Sequence, residues 1–124
     1  MNTTMKLIYP AYSKQLFYFR QHISKFVLEN GCIPLNPFMI FEYFMLDTVD
    51  RDLVREANNN LVERVDELWV FGQISDGVMA EIEIAKKTKK PIEYFEIIKS
   101  REIKRVKKNQ VEFENGFNGN VDSL

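Results

Sequence analysis

The fold of this chain is decided by two adjacent segments, ELWVFG at residues 67–72 and SDGVMAEI at residues 75–82. The first is typical of a buried strand, and the second begins with Ser75, a residue favoured at the start of a helix. Open α/β sheets bind ligands beyond the carboxyl ends of their strands, where a helix start also favours anionic groups. Glu81 lies about a turn and a half into this helix, so its carboxylate is placed to act as a nucleophile. The helix dipole alone also favours an acid there, and a purely structural Glu81 is the alternative.

The composition is typical of a single globular domain with a net charge close to zero. The 124 residues are 45% hydrophobic, which is enough to bury a single core. Seventeen basic and eighteen acidic side chains give a formal net charge of -1. This balance argues against nucleic acid or a membrane surface as the main partner and favours a small-molecule ligand.

Cysteine and histidine are nearly absent from the sequence. Cys32 is the only cysteine and His22 the only histidine, so neither an intrachain disulfide nor a Cys- or His-rich metal site is expected. We expect no metal and no cofactor. The single thiol fits a reducing compartment, and no targeting or membrane-spanning segment is readable, so the predicted location is cytoplasmic.

Strand and helix patterns alternate on both sides of the deciding segment. Strands are predicted at 6–9, 32–35, 67–71 and 92–95, and helices at 13–30, 47–65 and 76–87, with Asp47 or Thr48 capping the second helix. The aromatic run 38–45 is predicted to be a loop or short helix that covers the site. Such alternation is typical of a parallel sheet sandwiched between helices.

The composition changes near residue 100. Residues 1–100 are predicted to form the α/β domain, and residues 101–124 a charged extension with a mobile tail. Within it, 111–113 reads as a short edge strand. The basic cluster at 99–108 is interpreted as a solvated face rather than a nucleic-acid patch.

Three carboxylates fall near the predicted crevice, and their positions differ. Asp66 precedes the central strand, so it is expected to cap or pair structurally, away from the cleft. Asp76 lies in the first helical turn, where capping explains it and a helper role is the alternative. Glu81 borders the packed face one turn after Gly77, whose missing side chain leaves an opening for a substrate. Partial burial would make this carboxylate more basic.

Other polar groups reach the same edge of the sheet. The run YPAYS at 9–13 places Tyr9, Pro10, Ala11 and Ser13 where they can contact a sugar or a base, although Tyr9 can also pack in the core and Ser13 can cap a helix. Three asparagines, 58–60, interrupt an amphipathic helix; at least one is a candidate for hydrogen bonding, and a surface run is the alternative. His22 is interpreted as a structural or surface histidine, and Trp69 as a core residue. No G-x-G-x-x-G, Walker or H-E-x-x-H motif is present, which argues against dinucleotide reductases, P-loop hydrolases and zinc proteases.

The chain resembles the nucleoside 2-deoxyribosyltransferase-like superfamily, especially its small uncharacterised bacterial and phage members. The resemblance is carried by DELWVFG at 66–72, SDGVMAEI at 75–82 with Ala85, and KPI at 90–92, and it extends to the first strand, LIYPA at 7–11. It covers residues 6–95 or so. It implies a flavodoxin-like or Rossmann-like single-domain, three-layer α/β sandwich with a mainly parallel four- or five-stranded sheet.

The resemblance also implies a reaction. Glu81 would attack the anomeric carbon of a (deoxy)nucleoside or nucleoside 5′-monophosphate, and a second base or water would then accept the sugar. Ser75, Gly77 and Val78, following Gly72, would hold the substrate or its phosphate at the helix start. Family members complete their pocket with a group from a neighbouring subunit. A homo-oligomer is expected here because a small open sheet in a chain with ten Phe residues leaves an apolar patch to cover.

One departure from the family pattern leaves the activity open. Active transferases carry an Asp on the helix before the central strand, which manages the proton on the base, and the best-matching place here is within 58–60, with Asn58 as the candidate helper. The sequence therefore supports two main hypotheses, beside which a structural or interaction protein is the remaining alternative. The first is an N-glycosidic enzyme with Glu81 as nucleophile and Asp76 or Asn58 as helpers, and the second is a non-catalytic nucleotide-binding or sensing module of the same fold.

Overall fold

The computed structural model describes residues 4–99, 102–114, 119 and 121–124. The strands are β1 (Leu7–Ala11), β2 (Ile33–Pro34), β3 (Glu67–Phe71), β4 (Ile92–Ile98) and β5 (Glu102–Val106). The helices are α1 (Arg20–Glu29), α2 (Pro37–Ile40), α3 (Tyr43–Leu46), α4 (Arg51–Arg64) and α5 (Asp76–Lys87). Short 3₁₀ helices cover Lys14–Phe19, Lys108–Gln110 and Val121–Ser123.

The five strands form one sheet in the order β2-β1-β3-β4-β5. β1, β2, β3 and β4 pair in parallel, and β5 runs antiparallel to β4. The carboxyl ends of the parallel strands therefore meet at one edge, where open α/β sheets bind ligands. This mainly parallel sheet between helices confirms the predicted Rossmann-like or flavodoxin-like fold class.

The core lies in two layers because successive strand residues point to opposite faces of the sheet. On one face, Tyr9, Leu68 and Val70 pack with α4 and α5 in a buried cluster. On the other face, Trp69 and Phe71 pack in a second cluster with residues of α1. The sheet is thus covered on both sides, which makes three layers.

Local sequence signals explain the central β3–α5 unit, whose bounds agree with the prediction. β3 is almost entirely buried, and Gly72 ends it with a φ of +75°. The positive φ favours glycine at this position, and a Cβ there would lie 2.6 Å from Leu16 Cδ1, so the end of the Leu16 side chain would have to move. Ser75 caps α5 by accepting a hydrogen bond from the Val78 N–H at 3.2 Å.

Some predicted bounds are wrong. The second long helix starts at Arg51 rather than at 47, because its cap is Asp50, whose Oδ1 accepts a hydrogen bond from the Asp52 N–H at 2.8 Å. The cap is therefore neither Asp47 nor Thr48. The segment predicted as one helix over 13–30 is divided into the 3₁₀ helix Lys14–Phe19 and α1.

The chain after residue 100 contributes to the domain surface. β5 was not predicted as a strand, yet it pairs with β4 along its length. The predicted edge strand at 111–113 is reduced to a single bridge between Ile74 and Phe113. Leu124 is buried, with 6% of its surface exposed. The predicted mobile tail falls partly on residues 115–118 and 120, which lie outside the described residues.

Candidate functional site

A cavity of about 220 Å³ opens at the carboxyl edge of the sheet. Residues from β1 and the loop after it, α2, α3, α4 and α5 line it. These residues are Tyr9, Pro10, Tyr12, Pro37, Phe38, Phe41, Leu46, Arg55, Asn58, Asn59, Asp76, Gly77, Ala80 and Glu81. We call this space the sheet-edge cavity. Its position matches the crevice predicted from the β3–α5 segment.

Glu81 meets Tyr9 at the wall of this cavity. The Glu81 Oε2 accepts a short hydrogen bond from the Tyr9 hydroxyl. Tyr9 is fully buried in β1, and Glu81 is partly exposed on α5. Tyr9 pairs with Leu68 in the parallel β1–β3 register, and this pairing fixes the position of the phenol along the strands relative to β3 and α5. A rigid donor therefore holds the carboxylate in place.

The surroundings of Glu81 change its acidity. Burial raises the pKa of the Glu81 carboxyl to about 7, and the hydrogen bond from Tyr9 opposes this rise in part. Burial, together with the negative charge of Glu81, raises the pKa of the Tyr9 phenol well above its usual value. Near neutral pH the phenol therefore keeps its proton and donates, while the carboxyl is divided between its two forms. A carboxylate with this pKa is more basic and more nucleophilic than an exposed one.

The first turn of α5 forms the wall next to Glu81. Asp76 is exposed at the cavity, and its Oδ1 accepts a hydrogen bond from the Gly77 N–H at 2.8 Å. Gly77 is also exposed, and a Cβ there would find no atom closer than the Ser75 Oγ at 4.0 Å. The absence of a side chain thus leaves open space one turn before Glu81. The Gly77 and Val78 amides, predicted to hold a phosphate, already donate to Asp76 and Ser75.

α4 contributes polar groups to the cavity lining. Asn58 and Asn59 line the cavity together with Arg55, one turn before them on the same helix. The Asn58 Oδ1 is buried without a hydrogen-bond partner in the described part of the chain. Asn60 is not among the lining residues, and its Oδ1 instead accepts from Arg64 at 3.0 Å. The asparagine run is therefore split between the cavity and the helix surface.

Aromatic and apolar residues of α2 and α3 form the remaining wall. Phe38, Phe41 and Leu46 line the cavity beside Tyr12, which follows β1. The rings of Tyr12 and Phe38 lie 4.9 Å apart between centroids, with their planes tilted by 35°. The cavity thus combines an aromatic side with the carboxylates of α5.

Five predicted binding residues lie outside this lining. Ala11 and Val78 are buried in the core, with 1% and 2% of their surfaces exposed. Ser75 caps α5, and Ser13 caps the 3₁₀ helix after β1 by accepting from the Gln15 N–H at 3.2 Å. Gly72 and Ser13 line a separate cavity of about 620 Å³. These five residues therefore lie in the core, at helix caps or at the separate cavity, and none of them lines the sheet-edge cavity.

Asp66, Trp69 and His22, for which no role in the site is predicted, lie outside the cavity lining. The Asp66 Oδ2 accepts a hydrogen bond from the Leu7 N–H at 2.7 Å, which ties the start of β3 to β1. Trp69 is a core residue, with 6% of its surface exposed. His22 is exposed on α1 beside Phe19.

Arg55 is the lining residue that the sequence analysis missed most clearly. Within α4 it has the appearance of an ordinary exposed charge, and only the tertiary packing brings it to the cavity.

Among the residues that the structure describes, no group of three or more His, Cys, Asp or Glu side chains is arranged to hold a metal ion. In the same part of the chain, no helix has the length and apolar character needed to cross a bilayer.

The chain thus has a Rossmann-like α/β fold with a carboxylate-lined cavity at the carboxyl edge of its mainly parallel sheet. Over residues 11–95 the sequence matches the family described as "Domain of unknown function (DUF7768)", and the chain belongs to this family. A search of curated protein sequences found no significant match.

One similar solved structure is a 2-desoxiribosyltransferase from Leishmania mexicana. The TM-score is 0.56 at 14% sequence identity, over 80% of this chain and 78% of that chain. A likeness at this identity establishes a shared fold. The activity of this chain has to be argued from its own site.

Proposed function

We propose that this protein acts on the N-glycosidic bond of a (deoxy)nucleoside or nucleoside 5′-monophosphate, through a sugar ester on Glu81. The observation that carries the proposal is the Glu81 carboxylate at the cavity wall, with a raised pKa and a hydrogen bond from the buried Tyr9 hydroxyl. The fold shared with a 2-desoxiribosyltransferase supports it. The chain would belong with nucleoside 2-deoxyribosyltransferase-like proteins.

The first step forms the ester. An ionised Glu81 oxygen attacks C1′ of the sugar, and the C1′–N bond breaks with its electron pair leaving on the base. Positive charge develops on the sugar ring during this step, and the nearby carboxylate stabilises it. Tyr9 keeps its proton and orients the attacking carboxylate.

The second step releases the sugar. A base nitrogen or a water oxygen attacks C1′ from the face that the first base has left, and the C1′–O bond to Glu81 breaks with its electron pair on the carboxylate. The attacking atom passes its proton to solvent, which replaces the proton that water gave to the first base. The configuration at C1′ is retained over the two steps. Transfer and hydrolysis differ only in this acceptor.

The departing base needs a proton, and Asn58 cannot supply one because an amide holds no acidic proton. In this proposal Asn58 binds the edge of the base, and the proton comes from water. The second carboxylate oxygen of Asp76 accepts a hydrogen bond from a sugar hydroxyl at the exposed side of the cavity.

Asn58 also favours a second candidate function, a non-catalytic nucleotide-binding or sensing module. Such a module needs the cavity and its hydrogen-bonding groups but no group that manages the proton of the base. It would bind nucleosides without releasing the base, and Glu81 would be dispensable.

The test is base release from a panel of deoxynucleosides and deoxynucleotides. With E81Q, which changes shape little, we expect turnover to fall by at least about a hundredfold while ligand binding persists. Turnover of the wild-type protein should rise as the pH increases through about 7, since the ionised carboxylate attacks.

E83Q is the matched control, because Glu83 is exposed on the same helix and does not line the cavity. It should behave as the wild type. Ligand binding without base release from any substrate would contradict the enzymatic proposal and favour the sensing module.

A further inference from the structure

A buried amide, Asn36, connects the aromatic wall of the sheet-edge cavity to α1. It lies two residues after the end of β2, and 2% of its surface is exposed. Its Oδ1 accepts hydrogen bonds from the Tyr12 hydroxyl at 2.9 Å and the Phe38 N–H at 3.1 Å. Its Nδ2 donates to the Ser24 Oγ at 3.0 Å and the Arg20 carbonyl at 3.4 Å. Both ends of the side chain are therefore fully used.

The oxygen of Asn36 binds both members of the ring pair that lines the cavity. Tyr12 is held through its hydroxyl, and Phe38 through its backbone N–H. The two ring centroids lie 4.9 Å apart. Because one atom accepts from both residues, it ties the Tyr12 side chain to the start of α2, against which the Tyr12 ring packs through Phe38.

The hydrogen bond from the Tyr12 hydroxyl to Asn36 persists over the physiological pH range. Burial raises the pKa of the Tyr12 hydroxyl well above its usual value, and the hydrogen bond to Asn36 lowers it only in part. The phenol therefore remains a donor, and the amide does not titrate. Ser24 and Arg20, on the other side of Asn36, belong to α1 and do not line the cavity.

Aromatic rings bind flat heterocycles well. Stacking of a nucleobase on an aromatic side chain is worth about 1–3 kcal/mol per base in single-stranded nucleic acid complexes. The carboxylates of Asp76 and Glu81 lie on α5, whereas the rings belong to the loop after β1 and to α2. This arrangement provides one wall for a base and another for a sugar.

We infer that Asn36 is a positioning residue for the base: it holds the buried Tyr12 ring against Phe38, so that the partly exposed Phe38 ring is fixed as the wall on which the planar base of the substrate stacks. The inference rests on the proposed function and specifies which wall of the cavity binds which part of the ligand. Asn36 itself touches neither the base nor the reacting atoms.

The experiment measures Kd and, where base is released, KM and kcat for purine and pyrimidine deoxynucleosides with N36A and Y12F. Both variants should raise Kd and KM, by about tenfold for N36A, because a buried hydrogen-bonding partner is lost. kcat should change far less, since Glu81 and Tyr9 are untouched. Y12F removes one oxygen atom and keeps the ring, so it tests the contact even where N36A unfolds.

Two further variants separate positioning from general stability. N36D keeps an oxygen that accepts from Tyr12 and Phe38, so it should bind the ligand more tightly than N36A even where it lowers the melting temperature. Y94F is the matched control for Y12F, because Tyr94 is a buried tyrosine outside the cavity lining. It should bind as the wild type.

Folded N36A and Y12F proteins with the Kd and KM of the wild type would overturn this inference and leave the proposed function intact. A wild-type protein that neither binds nor cleaves any nucleoside would instead overturn the proposed function, and this inference with it.

Discussion

The Glu81 carboxyl lowers the stability of the folded protein when it is ionised. Its pKa is raised to about 7 by burial. An acid whose folded-state pKa is raised keeps its proton in the folded state at a pH where the unfolded chain has lost it. Between about pH 4.5 and 7 the folded state therefore binds more protons, and stability falls as the pH rises through this window.

E81Q should remove this pH dependence. Relative to the wild type, the variant should gain up to about 3 kcal/mol in free energy of unfolding between pH 5 and pH 8, since each pKa unit corresponds to about 1.4 kcal/mol. Urea unfolding of both proteins at the two pH values measures the difference. E83Q, at an exposed position of the same helix, should follow the wild type. If the difference in free energy of unfolding between E81Q and the wild type is the same at pH 5 and at pH 8, the raised pKa of Glu81 is contradicted.

The individual residues of the site were predictable to different degrees. Glu81 and Gly77 could be placed at the cavity from the β3–α5 pattern alone, because strand, cap and helix are local features. The contact of Glu81 with Tyr9 could not be predicted, since it depends on how β1 pairs with β3. The same holds for Arg55, whose place in the cavity follows from the packing of α4 rather than from its neighbours in sequence.

Among the secondary-structure elements, those with a single strong local signal were predicted best. β3 and α5 have one buried run and one cap, and their predicted bounds are correct. Several residues just before α4 have side chains that could cap it, and the residue that caps it in the structure is Asp50. β5 was missed because Glu102–Val106 is rich in charge, and its strand conformation comes from pairing with the extended end of β4.

The two aspartates before α4 offer a direct test of where that helix begins. D50A should lower the free energy of unfolding by about 1 kcal/mol, because the Asp52 N–H loses its capping oxygen. D47A is the matched control, since Asp47 is also exposed and lies outside the cap of α4. It should have a much smaller effect in urea unfolding. Equal losses for the two variants would contradict the helix start at Arg51.

At the scale of the whole molecule, an apolar surface lies beside the sheet-edge cavity. Met39, Ile40, Met45 and Leu53 are each between 41% and 57% exposed. A small cavity of about 120 Å³, lined by apolar residues, continues from this surface and shares Phe41 and Leu46 with the sheet-edge cavity. Exposed apolar surface of this kind is typical of sites that bind another protein. We expect a second copy of the chain to cover it.

L53E should disrupt this association, because it places a charge in the middle of the apolar surface. L28E is the control, since Leu28 is 54% exposed on α1, away from the cavity. In sedimentation velocity experiments the wild type and L28E should be oligomers, and L53E should be a monomer. A monomeric wild-type protein, or an L53E oligomer as stable as that of the wild type, would contradict the expectation.

The overall arrangement was predictable because alternating strand and helix patterns leave few ways to pair the strands. What the sequence could not supply is how the loops and short helices at the carboxyl edge close around a cavity, because those contacts join distant parts of the chain. The predicted cover over 38–45 corresponds to α2 and α3, yet the detailed packing of Phe38 and Phe41 required the structure.

The central claim is that Glu81 attacks the sugar carbon from the cavity wall. The most direct measurement is intact-protein and peptide mass spectrometry after acid quenching of a reaction with deoxynucleosides. We predict a mass increase of one deoxyribosyl unit on the peptide that contains Glu81, and no such increase in E81Q. Base release that proceeds equally well in E81Q, without an adduct on that peptide, would contradict the claim.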